Sequence, residues 1–257
     1  MSVIYRYKYL PFDSETSLKV ITESTIKFSS PEEFNDPFDC APYLDVSEIT
    51  DEYVNELLKK NGTSPADRIQ NKQKYKCNLI RAIESGDFLK SINSSISICC
   101  LSRSATQPLM WAHYANDHRG FVVEFKIPVE GELSVAHQHD EFLVPFSVEY
   151  TQERPQTHIV DNEPDQVEKC LLTKCDDWAY EEEERVISYQ RPAGIHQISP
   201  LLLSSVIAGM RMPAKDVELL NEAIQQHNQT HKKDVSLYHA RPDQREYLIK
   251  VDGHPRL

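Results

Sequence analysis

Ser97–Phe125 (SICCLSRSATQPLMWAHYANDHRGFVVEF) is the stretch around which the chain is organised. Both of its ends read as strands. Ile96, Ile98 and Cys100 alternate with Ser97, Cys99 and Leu101. Phe121 to Phe125 is a run of aromatic and β-branched residues after a glycine, the pattern of a buried strand. Between them, Leu109 to Ala115 is short, helical in character and rich in aromatics and histidine. The middle holds Arg103, Trp111, His113, Tyr114, Asn116, Asp117, His118 and Arg119. Few purely structural connections need that much polar and aromatic chemistry.

The flanking segments set the fold class. Val3 to Leu10 alternates Tyr5, Tyr7 and Tyr9 with Arg6 and Lys8, a strand with one aromatic and one partly charged face. A helix is expected over about Thr16 to Glu23, and a second strand over Thr25 to Phe28. Ser30 then caps a short turn of helix, and Asn35 to Asp39 forms a turn whose side chains can bond their own backbone. Asp45 to about Leu89 reads as a helical insertion: Ile49, Tyr53, Leu57 and Leu58 form one stripe, and Ile69, Tyr75, Leu79, Ile80 and Ile83 another. Further on, Phe142 to Tyr150 reads as one bent strand or two, Gln166 to Trp178 as an amphipathic helix, and Glu181 to Tyr189 as a strand. Leu201 to Ala208 follows as a strand, Lys215 to His227 as a helix, and Val235 to His239 and Tyr247 to Val251 as closing strands. The strands are short and mostly lack βαβ spacing. The expectation is one α+β domain over 1–257, with a mixed or antiparallel central sheet, flanking helices and the insertion at about 45–89.

Charge and cysteine usage narrow the function. The formal net charge of −12 argues against a broad surface for nucleic-acid phosphates. The six cysteines form no CxxC pair, which suits free thiols in a reducing cytosol better than a zinc site or a disulfide framework. No apolar stretch has membrane-spanning length, and Arg6 and Lys8 interrupt the early apolar run. The chain therefore reads as a soluble bacterial protein of the cytoplasm, with no membrane partner.

Several constellations carry chemistry, and each has a plainer alternative. Tyr5 and Tyr7 either fill the core while Arg6 faces solvent, or one of the three lines a ligand pocket at the strand end. Asn35, Asp36 and Asp39 are more than capping alone requires. His113 and His118 are five apart and so on different helical faces, which disfavours a helical metal pair. His137 and His139 fall in a loop, and no metal is expected. Asp117 followed by Glu124-Phe125-Lys126 has the outline of a metal-dependent nuclease. On a strand beginning near Glu181, the side chains of Glu181, Glu183 and Arg185 share one face. They form either a solvated ion pair or a pocket in which a carboxylate meets a sugar or a developing cation.

Taken as a set, these motifs resemble the bacterial domain-of-unknown-function family 2971. The pieces are Ile4-Tyr5-Arg6-Tyr7, the run from Phe28 to Asp39, Cys100-Leu101-Ser102-Arg103, Met110 to Ala115 with His118 and Gly120, and Trp178 with Glu181, Glu183 and Arg185. A second resemblance is to ADP-ribosyltransferases. Tyr5 to Tyr7, Ser29-Ser30 and Glu181-x-Glu183 occur in the order of that fold's three motifs. The resemblance implies an NAD-using core in which Glu183 is the catalytic carboxylate and Glu181 its partner. Tyr5, Arg6, Ser29 and Ser30 would hold the cofactor, with Asn35, Trp111, Tyr114 and Arg185 around it. His113 and Asp36 would orient nicotinamide or an acceptor, itself a protein or a nucleic acid. Such an enzyme would suit a toxin or an effector of phage defence. Two other classes stay open: a non-catalytic module that senses a ligand or binds a partner, and the metal-dependent nuclease. A single site requires Ser30, Asn35, Asp36, Trp111, His113 and Glu183 to converge.

Overall fold

The central strand is buried along almost its whole length, and the rest of the sheet is arranged about it. In the computed structural model, which describes residues 2–128, 143–157, 164–189 and 191–257, Phe121–Pro128 has Phe121, Val122, Val123, Glu124 and Phe125 at 0% exposure. The strands are β1 (Val3–Leu10), β2 (Thr25–Phe28), β3 (Tyr43–Leu44), β4 (Ser97–Ser102), β5 (Phe121–Pro128), β6 (Phe146–Ser147), β7 (Glu149–Thr151), β8 (Gln156–Thr157), β9 (Thr173–Cys175), β10 (Glu183–Ser188), β11 (Gly194–Gln197), β12 (Leu203–Ala208), β13 (Ser236–Pro242) and β14 (Ile249–Val251). Eight of them form one sheet in the order β14-β13-β12-β5-β1-β4-β10-β6. It is a mixed, mostly antiparallel sheet of an α+β fold, and β12–β13 is its parallel pair.

The helices are α1 (Lys19–Thr22), α2 (Asp51–Lys60), α3 (Pro65–Glu84), α4 (Asp87–Asn93), α5 (Pro108–Tyr114), α6 (Pro164–Leu171) and α7 (Ala214–His231). α1 and α7 cover one sheet face: Ile21, Leu220, Ala223 and Ile224 pack with Phe121, Val123 and Phe125. α5 covers the other face, where Trp111 packs with Tyr7, Tyr9, Val122 and Ile207. Alternation along β5 thus feeds two cores at once. Gly120 is required at the entry to β5, because a Cβ there would lie 2.1 Å from the Leu10 carbonyl oxygen.

The insertion is helical. α2 and α3 enclose a small cluster of their own, with Ile49, Val54 and Leu58 against Leu79, Ile80 and Ile83. No residue of the 20-residue α3 is fully buried.

Several local expectations change. The helix expected over Gln166 to Trp178 ends at Leu171, and Thr173–Cys175 pairs in parallel with β7 instead. A backbone bond from Glu149 N to Leu172 O, 2.7 Å, captures the chain as it leaves the helix, so pairing overrides helical periodicity. Asp176–Glu181 is a 3₁₀ helix, and β10 begins only at Glu183, so Glu181 is not on the strand. The helix expected over Thr16 to Glu23 is only α1, because the Asp13 carboxylate accepts the Glu15 and Thr16 N–H groups and holds a turn before it. Phe146–Ser147 and Glu149–Thr151 join different sheets. The expected closing strand shortens to Ile249–Val251, because Asp243 accepts the Arg245 and Glu246 N–H groups in a preceding turn. His137, His139 and Phe142 lie outside the described residues. Among the described residues, no helix is long and apolar enough to cross a membrane.

Candidate active site

A cleft of about 370 Å³ opens where the sheet is locally unzipped. β1 registers with β4 at Tyr7↔Ser102 alone. Four residues back along β4, Ile98 pairs with Ser29, with N–O distances of 2.8 and 2.9 Å. β4 is therefore held by two different segments along one edge, and the cleft lies between them. Lys8 spans it by donating from Nζ to the Cys100 carbonyl oxygen at 2.8 Å. Tyr7, Tyr9, Phe34, Met110 and Tyr114 supply apolar and aromatic wall.

The loop after β2 delivers the next group. The Ser30 hydroxyl caps the turn at Pro31–Glu33, and the Asp36 carboxylate accepts the Phe38 N–H at 2.8 Å. Cys40 adopts a left-handed backbone (φ 53°). These turns aim Asp39 inward, where both its oxygens meet Arg185 Nη2, at 2.8 and 2.7 Å. Arg185 is fully buried, and each of its donor nitrogens has an acceptor. Nε and Nη2 reach Glu183 at 2.9 and 3.0 Å, and Nη1 reaches the Leu171 carbonyl at 2.6 Å and Cys40 Sγ at 3.2 Å.

Lys174 completes the cleft floor. Its Nζ lies 2.5 Å from Glu181, 3.1 Å from Glu183 and 3.4 Å from Asp39, and 5.1 Å from the centre of the Trp178 ring. Three buried carboxylates thus share two buried cations, one negative charge in excess. The two glutamates respond in opposite directions. Burial works to raise Glu183, but Arg185 and Lys174 pull it down to about 2. For Glu181, burial outweighs Lys174 and the Tyr114 hydroxyl, and its pKa is raised. A proton on Glu181 would balance the cluster. Burial opposes the Lys174 charge, yet Glu183, Glu181 and Asp39 together hold it protonated beyond an ordinary lysine. Burial likewise pushes the Cys40 and Cys100 thiols above the usual range, so neither is an activated nucleophile.

Glu181 is the less heavily bonded carboxylate, with one partner on each oxygen: Lys174 Nζ reaches its Oε2 at 2.5 Å. Its Oε1 accepts the Tyr114 hydroxyl at 2.6 Å, and the Asn35 amide approaches that hydroxyl at 3.5 Å. Both Glu183 oxygens are taken by Arg185 and Lys174.

Of the residues singled out in the sequence, Ser29, Asn35, His113, Tyr114, Glu181 and Glu183 line the cleft. Arg185 lies behind Glu183. Ser30 and Asp36 cap turns at its edge. Trp111 is core: it is fully buried and donates from Nε1 to the Ala105 carbonyl at 2.8 Å. Tyr5 lies instead under Arg256, whose guanidinium carbon is 3.8 Å from the ring centre. Arg6 points to the opposite sheet face, where Glu184 holds it at 2.5 and 2.8 Å. The cleft residue that the sequence reading missed is above all Lys174. The helical reading of Gln166 to Trp178 hid Lys174. Tyr7 was legible in its alternation with Tyr5 and Tyr9, but the cleft end of the strand was not. Glu124, the centre of the nuclease outline, accepts from Arg256, Ser205 and Tyr7, while Lys126 is exposed.

Residues 110–186 match the model of a family described as "Protein of unknown function (DUF2971)". The DUF2971 match runs from α5 into β10 and includes His113, Tyr114, Lys174, Glu181, Glu183 and Arg185. It agrees over that segment with the resemblance read from the motifs. Neither a curated protein nor a solved structure matches the chain.

Proposed function

We propose that the cleft binds a nucleotide-like small molecule, with NAD as the leading candidate, and cleaves or transfers its glycosidic bond. The observation that carries this reading is the carboxylate pair on the cleft floor, with Glu183 held ionised and Glu181 raised by burial. Two carboxylates driven apart in this way can divide the work of charge stabilisation and proton transfer. The excess negative charge suits an oxocarbenium-like transition state, whose positive charge develops as the bond breaks. The tyrosines and Phe34 suit a flat base or nicotinamide ring. In this reading Glu181 is the reacting carboxylate, and Glu183 positions Lys174. That reverses the roles first implied by the ADP-ribosyltransferase resemblance. A toxin or phage-defence role and a protein or nucleic-acid acceptor remain compatible with this chemistry.

A non-catalytic ligand-binding module is the second reading. It is favoured by the tight Lys174–Glu181 contact, which already satisfies one oxygen of the reacting carboxylate.

Nicotinamide release separates the two. Purified wild type, Glu181→Gln and Glu183→Gln are incubated with NAD in the presence of EDTA. Glu181→Gln is expected to bind NAD but lose about a hundred- to a thousand-fold in rate, about 3–4 kcal/mol of transition-state stabilisation. Binding without turnover by wild type, with and without candidate acceptors, favours the binding module. No binding at millimolar NAD ends the NAD reading.

A further inference from the structure

A second buried polar cluster sits on the same sheet face, beside the cleft. Five residues lie in register across five strands: Ser205 on β12, Glu124 on β5, Tyr7 on β1, Ser102 on β4 and Glu183 on β10. Laterally paired residues project to one face, so this is a continuous polar row across five strands of the sheet. Glu183 ends it in the cleft. At the other end, Glu124 is fully buried and filled from three sides. Arg256 Nε donates to Oε1 at 2.8 Å and its Nη2 to Oε2; the Ser205 hydroxyl donates to Oε2 at 2.9 Å; the Tyr7 hydroxyl donates to Oε1 at 3.2 Å.

Ser205, His254 and Glu124 have the composition of a nucleophilic triad, but the proton directions forbid it. His254 Nδ1 accepts the Arg256 N–H at 3.3 Å, so the proton of a neutral His254 sits on Nε2. Nε2 lies 3.0 Å from the Ser205 oxygen and donates to it, while Ser205 hands its own proton to Glu124. The imidazole therefore does not serve as the serine's base. The cluster holds things in place.

What it holds at the cleft side is Tyr7. An ionised Glu124 can only accept, so the Tyr7 proton is committed to it. Arg256 also interacts with that hydroxyl, so what remains for the cleft that Tyr7 lines is acceptor capacity alone. We propose that Arg256 and Glu124 are positioning residues that fix Tyr7 as a hydrogen-bond acceptor for an N–H or O–H group of the cleft ligand. Ligand affinity then depends on a contact made outside the cleft, by the turn at 252–256. The ligand part of this inference rests on the glycosidic reading of the site; the fixing of Tyr7 does not. Without Arg256 the buried Glu124 carboxylate takes up a proton, becomes a donor, and frees the Tyr7 hydroxyl to turn.

Two measurements test this. In the first, NAD is titrated into wild type, Tyr7→Phe, Arg256→Gln and the double variant. One lost hydrogen bond should weaken binding by about five- to tenfold in each single variant. The double variant should bind no more weakly than Tyr7→Phe, because both changes remove the same contact. An equal further loss from Arg256→Gln in both backgrounds overturns the proposal. The second needs no ligand: tyrosine labelled with ¹³C at Cζ is followed by NMR, and Tyr7→Phe identifies the Tyr7 line. Arg256→Gln should move that line and leave Tyr114 in place, and Arg256→Lys, which keeps the charge, should move it less. A Tyr7 line unmoved by Arg256→Gln, or moved more by Arg256→Lys, overturns the proposal. A wild type that ignores NAD while the Tyr7 line moves defeats the glycosidic reading and leaves the positioning of Tyr7 standing.

Discussion

The cleft floor and the Glu124 cluster use the same materials on one sheet face and end differently. Each buries a glutamate against an arginine. At Glu124 the account closes: one carboxylate meets one guanidinium, the Ser205 and Tyr7 hydroxyls take the remaining positions, and His254 bonds Ser205 from behind. At the cleft, Asp39, Glu181 and Glu183 compete for Lys174 and Arg185, and one carboxylate is always under-compensated. Buried charge is tolerated when it is paired and saturated with hydrogen bonds. The balanced cluster is therefore a fastening. The unbalanced one, open to a cavity, is where chemistry can occur.

The largest effect should come from the deepest cation. Arg185→Met leaves Asp39 and Glu183 buried without their shared partner and should cost about 3–5 kcal/mol in denaturant unfolding. Arg256→Met should cost less, about 1–3 kcal/mol, because its side chain is 29% exposed and the single Glu124 carboxylate it leaves behind can take up a proton. A larger loss at Arg256 than at Arg185 would break the contrast between fastening and floor.

Acid titration sharpens it. Glu183 falls from 4.5 to about 2 on folding, so it contributes roughly 3 kcal/mol at neutral pH that disappears as pH drops from about 4.5 toward 2. Glu124 is also lowered and acts in the same direction: burial opposes the shift, and Arg256 with Ser204 and Ser205 overcomes it. Glu181 is raised, so its contribution is present at low pH and fades as pH rises through its folded value. Stability curves of wild type and Glu181→Gln should therefore separate as pH rises through that value, with the variant losing less. Parallel curves would mean that the floor is as balanced as the fastening.

The smallest effect is expected at Tyr114→Phe. It removes one hydrogen bond to Glu181 and should cost about 1 kcal/mol of stability. It also removes an interaction that favours the ionised carboxylate, so the limb of the activity profile that Glu181 sets should move to higher pH. A shift to lower pH would assign the Tyr114 contact to protonated Glu181.

The strands of the main sheet were largely legible because burial on one face or both leaves a local trace. β1, β4, β5, β10 and β12 announce themselves through period-two alternation or apolar β-branched runs, and α2, α3 and α7 through apolar stripes. The failures lie where a distant partner outvotes the local pattern. Thr173–Cys175 extends because β7 is there to receive it, and Glu181 leaves the strand because Glu182 turns with φ 45°. Glu183 and Arg185 were rightly placed on one face. That Arg6 answers to Glu184 across the sheet could not be read from β1.

By itself, the sequence determined the periods, the caps and the composition: an α+β chain, a helical insertion, and polar residues crowded around Trp111 and Glu181. These follow from neighbours three to four residues apart on a helix or two apart on a strand, where chain geometry alone sets who shares a face. The tertiary structure decided which charges meet. Asp39 and Arg185 are 146 residues apart, and Arg256 reaches Glu124 across 132. Whether a buried carboxylate ends up neutralised or in excess depends on how many cations the fold brings within about 4 Å, since Coulomb energy in a low-dielectric interior is set by distance in space. No local pattern encodes that distance, and here it separates the site from the fastening.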